Sequence, residues 1–200
     1  MNRSFLAILL IVLLFFAGIG LCGAQESAPT QSHLNLLFGP LGFLQFGPTT
    51  DLEVGFSSNL YGIVHVRLHG LGLLSYLLYD VTPAVYSVAV GPGLRYLFPI
   101  KGSPHAPYVG FLTEFGYNPY TGDAGYSSEY TGTTTYVTVA MNGGFRWQFD
   151  NFLLDVGAYA GVAPTLSDEY AYKSDPAVTY QGQKITTFFG MVELSLGFRL

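Results

Sequence analysis

Charge is the scarcest commodity in this 200-residue chain: Asp, Glu, Lys and Arg supply 10% of it, against about 25% in ordinary globular domains. Cations number 8 against 13 acids, a net charge of −5, and a chain of that balance lacks the basic stripe that nucleic acid requires. There is one cysteine, Cys22, so no internal disulfide staples the fold. Beyond Leu21 no segment is a long uncharged apolar run, which excludes a bundle of membrane-spanning helices.

What is present in quantity is apolar residues (50%), with 25 Gly, 16 Phe and 15 Tyr. The N-terminus reads Met1-Asn2-Arg3, an uncharged apolar stretch from Phe5 to Leu21, then Cys22-Gly23-Ala24. That is the layout of a secretory signal cleaved after Ala24. Residues 1–24 are therefore expected to be a signal peptide, 25–33 a short polar periplasmic tether, and 34–200 one exported domain. An uncleaved anchor and a lipoprotein acylated at Cys22 are the competing readings.

The rest of the chain alternates with the period of a strand. Thr186 to Leu200 has Phe188, Val192, Leu194, Leu196, Phe198 and Leu200 on one face, with Met191, Glu193, Ser195, Gly197 and Arg199 on the other. The same pattern predicts strands over Leu34 to Phe46, Asp51 to Ser57, Leu60 to about Leu74, Val85 to Phe98, Pro107 to Asn118, Thr133 to Phe149 and Phe152 to Ala163. Asp150-Asn151 reads as a tight turn, and Pro119 to Gly132 and Pro164 to Gln183 as long loops. Eight amphipathic strands near the length that crosses hydrocarbon predict an all-β fold, an eight-stranded antiparallel transmembrane β-barrel.

Alternation alone does not say which face is inside, and a lipocalin-like barrel with its apolar face inward is the alternative. Three features favour a polar interior. Lys101, Lys173 and Lys184 lie in loops or at a strand edge, the polar face is rich in Gly, Ala and Ser, and aromatic residues gather near the strand ends of the apolar face. On this reading Arg67, Arg95, Arg146 and Arg199 project inward with Glu53, Glu114, Asp155 and Glu193. Four against four in a narrow lumen predicts an ion-pair network, because an unpaired buried charge costs several kcal/mol. The network reads either as a plug or as a gated polar pathway.

His65, His69, Tyr136, Asn142 and Tyr159 are expected on the same inward face. The two histidines lie about 13 Å apart along a strand, too far for one metal ion, so no metal and no cofactor is expected. Asp168, Glu169, Ser127, Ser128 and Glu129 stand in the two outer loops without a histidine. A Ser/His pair there lacks its base, so no catalytic residues and no enzyme are expected. Tyr120, Tyr126, Tyr130, Tyr170 and Tyr172 are expected as external-loop contacts, either for a surface ligand or as an aromatic rim.

The signal, the eight amphipathic strands, the charged lumen and the closing strand together resemble the OmpA/OmpX-like eight-stranded outer-membrane β-barrels of diderm bacteria. The resemblance covers residues 34–200 and is one of architecture; the chain departs from the pattern in ending on Leu200, with Phe198 two residues earlier. It implies a monomer in the bacterial outer membrane with a structural or surface-interaction role, or a narrow porin-like channel for ions or small solutes. It also implies membrane lipid, lipopolysaccharide and the barrel-assembly machinery as partners, with Phe198 and Leu200 as the assembly signal.

Overall fold

A computed structural model describes residues 34–78, 81–123 and 129–200. The signal, the tether and Tyr126 lie outside the described residues. Ten strands follow in order: β1 (Leu34–Gly39), β2 (Thr49–Gly55), β3 (Leu60–Arg67), β4 (Val81–Pro83), β5 (Val88–Leu97), β6 (Ala106–Asp123), β7 (Glu129–Phe149), β8 (Phe152–Tyr172), β9 (Tyr180–Gln181) and β10 (Thr186–Arg199). Short 3-10 turns cover Pro40–Leu44 and His69–Leu71, and one helix, α1, covers Leu73–Leu78.

Every pairing is antiparallel. Eight strands run β1-β2-β3-β5-β6-β7-β8-β10, and β10 pairs with both β8 and β1, giving a ring. β4 pairs with β6 and β9 with β8, outside that ring. Side-chain alternation decides what each face holds. Along β10, Met191, Glu193 and Ser195 are buried inside, while Val192, Leu196 and Phe198 are exposed outside. Much of the exterior is apolar, with Phe188 81% and Met141 62% exposed.

Pro40 ends β1 early, because it has no N–H for the ladder. Just past this end the side chain of Gln45 takes over. Its Nε2 donates to the Val192 carbonyl at 2.9 Å, and the Val192 N–H donates to its Oε1 at 3.0 Å. One amide thus continues the ladder along β10 where β1 has stopped. Leu68 leaves β3 in a similar way, donating its N–H to the Pro48 carbonyl at 3.0 Å.

The structure corrects the expected eight-stranded transmembrane β-barrel. The sheet has ten strands, and its ring of eight is not a barrel. Its wall is uneven: β1 has 6 residues, whereas β7 and β8 have 21 each. Above β1 the 3-10 turns and α1 stand where a continuous wall would need strand. Four readings rest on the barrel and are corrected with it. They are the likeness to OmpA/OmpX-like proteins, the integral outer-membrane or porin-like role, the lipid, lipopolysaccharide and assembly-machinery partners, and the outer-membrane location. What stands is an all-β domain with a polar inside. Phe198, read as an assembly signal, packs on Phe152 at 5.7 Å on the outer face. The Leu200 N–H donates to the Leu34 carbonyl at 2.8 Å, tying the last residue to β1.

Strand boundaries also move. The first predicted strand stops at Gly39 and the third at Arg67, and Leu73–Leu78 beyond it is helical. Most of the two predicted loops is strand: β6 extends to Asp123, β7 begins at Glu129, and β8 extends to Tyr172. Tyr and Thr are strand formers, and the glycines between them make room for rings. A Cβ on Gly132 would lie 2.4 Å from the Tyr120 ring, and one on Gly122 would lie 2.2 Å from that of Tyr130.

Candidate functional site: an ion-paired floor beneath a tyrosine-lined cup

The interior has two parts. Its lower part is filled by charge. Arg146 and Asp155 are register partners across β7 and β8, and their side chains meet bidentately, Nε to Oδ1 at 2.7 Å and Nη2 to Oδ2 at 2.6 Å. Arg146 also donates to both oxygens of Glu53, at 2.8 and 3.0 Å. Arg95 donates through Nη1 to Glu53 at 2.6 Å and to Asp155 at 2.8 Å, and through Nη2 to Glu193 at 3.2 Å. Arg95 lies over the Tyr108 ring at 4.5 Å, and the Tyr108 hydroxyl donates to Glu193 at 2.6 Å. Asn142 reaches Glu193 as well, at 3.5 Å.

Two arginines stand among three carboxylates, with Asp51 a fourth at 3.9 Å from Arg95, so negative charge is in excess, and the carboxyls respond unequally. Burial would raise the Glu53 carboxyl, but Arg146 and Arg95 outweigh it and hold it at about 2. Burial raises Glu193, which has Arg95 beside it but Asp155 close enough to oppose ionisation. Glu193 therefore takes a proton more readily than Glu53.

A second group sits higher. Asp51 meets His65 Nδ1 at 2.5 Å, His65 Nε2 meets Glu114 at 2.8 Å, and Arg67 donates to the same Glu114 oxygen at 2.7 and 3.0 Å. Burial would lower the His65 pKa, but Asp51 and Glu114 raise it to about 9. The imidazolium therefore has carboxylates on both nitrogens, which removes it as a metal ligand. Burial, then Arg67, push His69 the other way, to about 4; its ring stands edge-on to Tyr136 at 5.6 Å. Tyr159 packs with Leu112 and Met191 in a small apolar cluster.

Of the sequence-predicted network, Glu53, Arg95, Arg146, Asp155 and Glu193 meet in the lower group, and Arg67 and Glu114 in the upper one. Arg199 joins neither: it donates to Gln148 at 2.8 Å, at the end of β10 beyond the acids. Sequence reasoning missed Asp51, Tyr108 and Asn35, which donates to Glu53 at 3.0 Å. Asp51 and Tyr108 share a strand face with residues already singled out, so alternation was the signal for both. Among the described residues, no group of three or more His, Cys, Asp or Glu is placed to hold a metal.

Above Arg67 and Glu114 the interior opens into a cup of about 960 Å³. A bulge in β8 determines its lining. Tyr136 pairs with Thr165, but Thr135 pairs with Ser167, so Leu166 is an extra residue. One extra residue reverses the parity of a strand. Below the bulge Asp155, Tyr159 and Thr165 face in; above it Asp168, Tyr170 and Tyr172 do. Tyr120, Tyr130, Tyr170 and Tyr172, expected as external-loop contacts, therefore line the cup from its upper wall. Asp168, expected in an outer loop, accepts from the Tyr120 hydroxyl at 2.8 Å and from Thr134 Oγ1 at 2.9 Å, both on Oδ1.

Compared with family models, with curated proteins and with solved structures, the chain matches none of them.

Proposed function

We propose that the chain is a small-molecule binding protein and that the cup is its site. The observation that carries this reading is the pairing of an open, tyrosine-lined cup with a floor closed by buried ion pairs. A volume of about 960 Å³ lies at the upper end of the usual range for ligand sites, roughly 300–1,000 Å³. The lining has the usual mixture, aromatic walls with a few fixed polar groups. The floor gives rigidity: Arg67 is held by two bonds to Glu114, and Glu114 by His65. Binding, rather than conversion, suits the lining, which holds neither serine nor cysteine among the described residues.

Saturation-transfer NMR of the full chain with a library of ring-bearing small molecules tests this, using the native protein and an Ala163→Trp variant. Ala163 lines the cup, so an indole there occupies ligand space. Compounds that bind the native chain and lose affinity in the variant support the reading. A library with no binders, or binders indifferent to Ala163→Trp, contradicts it.

A further inference from the structure

The chemistry of the cup selects a charge class of ligand, an inference that rests on the cup being a binding site. Its charged lining groups are Arg67, Glu114 and Asp168. Arg67 and Glu114 are bonded to each other and cancel, and His69 is neutral at physiological pH. Among the described residues that line the cup, Asp168 is left as the carboxylate without a cationic partner, held by the hydroxyls of Tyr120 and Thr134.

Around Asp168 the bulge gathers aromatic rings. Tyr120 and Tyr130 are 6.2 Å apart at 82°, Tyr130 and Tyr172 are 6.1 Å apart at 73°, and Tyr170 and Tyr172 are 5.8 Å apart at 85°. These are edge-to-face contacts, and Tyr170 also stacks on Tyr180 at 5.5 Å and 20°, so the rings make one continuous aromatic wall beside Asp168. Both hydroxyl bonds fall on Asp168 Oδ1; Oδ2 lies against Gly182, where a Cβ would come within 1.8 Å of it. The carboxylate is thus oriented by two donors while its charge stays uncompensated.

We propose that the mouth of the cup binds an organic ammonium ion, seated among Tyr120, Tyr130, Tyr170 and Tyr172 with Asp168 as its counter-charge. A cation within about 6 Å of a ring centroid is attracted by the π face, and the centroid spacings put one seat within reach of several rings. A hard metal ion does not fit, because Ca²⁺ takes about 6–8 oxygen ligands and Mg²⁺ a near-octahedral set. An anion does not fit either, because the guanidinium of Arg67 is already taken by Glu114.

The test titrates the full chain by calorimetry with choline and with 3,3-dimethylbutan-1-ol, its neutral isostere, at matched ionic strength. Choline is expected to bind at least about tenfold more tightly. Asp168→Asn keeps an oxygen for Tyr120 and Thr134; it is expected to abolish that preference. Tyr170→Leu, a variant that spares Asp168, is expected to lower the preference as well. Equal affinity for the two probes, or a preference that survives Asp168→Asn, overturns the ammonium assignment. If neither probe binds while library compounds bind and respond to Ala163→Trp, the ammonium assignment falls and the cup stands. If neither probe nor library binds, both fall.

Discussion

Arg146 and Asp155 face each other across β7 and β8 and share two hydrogen bonds, at 2.7 and 2.6 Å. Both are almost wholly buried, at 1% and 0% exposure. Removing one partner of such a pair strands the other in low dielectric, at a cost of about 3–5 kcal/mol. Arg146→Met should therefore destabilise the domain by about that much in denaturant unfolding, because it leaves Glu53 as well as Asp155 short of a cation. Combining it with Asp155→Leu should recover part of the loss, and a double variant no more stable than the single one would count against the pairing.

Stability should fall at both ends of the pH scale, for different reasons. Glu53 is held at about 2 when folded, so its contribution is present above its ordinary value of 4.5 and lost as pH falls through about 2. His65 is raised to about 9, so its contribution is full below 6.5 and lost as pH rises through about 9. His65→Gln should flatten the alkaline decline in a series of unfolding curves. An unchanged alkaline arm would show that His65 is not the group responsible.

Leu166 is the extra residue between two stretches of unbroken register. Deleting it should straighten β8 without changing partners: Ser167 stays opposite Thr135, Asp168 opposite Thr134 and Tyr170 opposite Gly132, so Asp168, Tyr170 and Tyr172 keep facing the cup. The expected outcome is a folded domain by circular dichroism with ligand binding retained. Lost binding would mean that the register between β7 and β8 does not by itself aim these side chains.

The interior pattern was legible in the sequence where strands are regular. Val137, Val139, Met141 and Phe145 alternate with Thr138, Asn142 and Arg146, and the structure separates them into outer and inner rows. The upper wall was not legible, for two physical reasons. Tyr, Gly, Ser and Thr compose loops as readily as they compose strands in which rings lie over glycines. A single added residue, Leu166, reverses the faces of everything beyond it without leaving a local mark. Arg199 could not be placed by parity either, because facing inward differs from reaching an acid when the acids lie further up β10. Eight alternating segments read as a transmembrane barrel, but alternation specifies faces and carries nothing about wall height; Pro40 and the turns around α1 make the wall uneven.

Gly132 should be intolerant of side chains. The Tyr120 ring occupies the place of its Cβ at 2.4 Å, so Gly132→Val must displace the ring that orients Asp168. A loss of about 1–3 kcal/mol is expected from the overpacking, with weakened binding in the cup. A variant as stable as the native chain would show that Tyr120 does not rest there.

The most direct test of the cup is to follow tyrosine side-chain NMR shifts while titrating the tightest library compound into the full chain. The molecule supplies its own controls, because Tyr86, Tyr96 and Tyr117 are exposed on the outside and Tyr61 and Tyr108 are buried in the floor. Shifts confined to Tyr120, Tyr130, Tyr170 and Tyr172 are the predicted result. Shifts on Tyr86, Tyr96 and Tyr117, with the cup tyrosines silent, would place the ligand on the outer face and contradict the account.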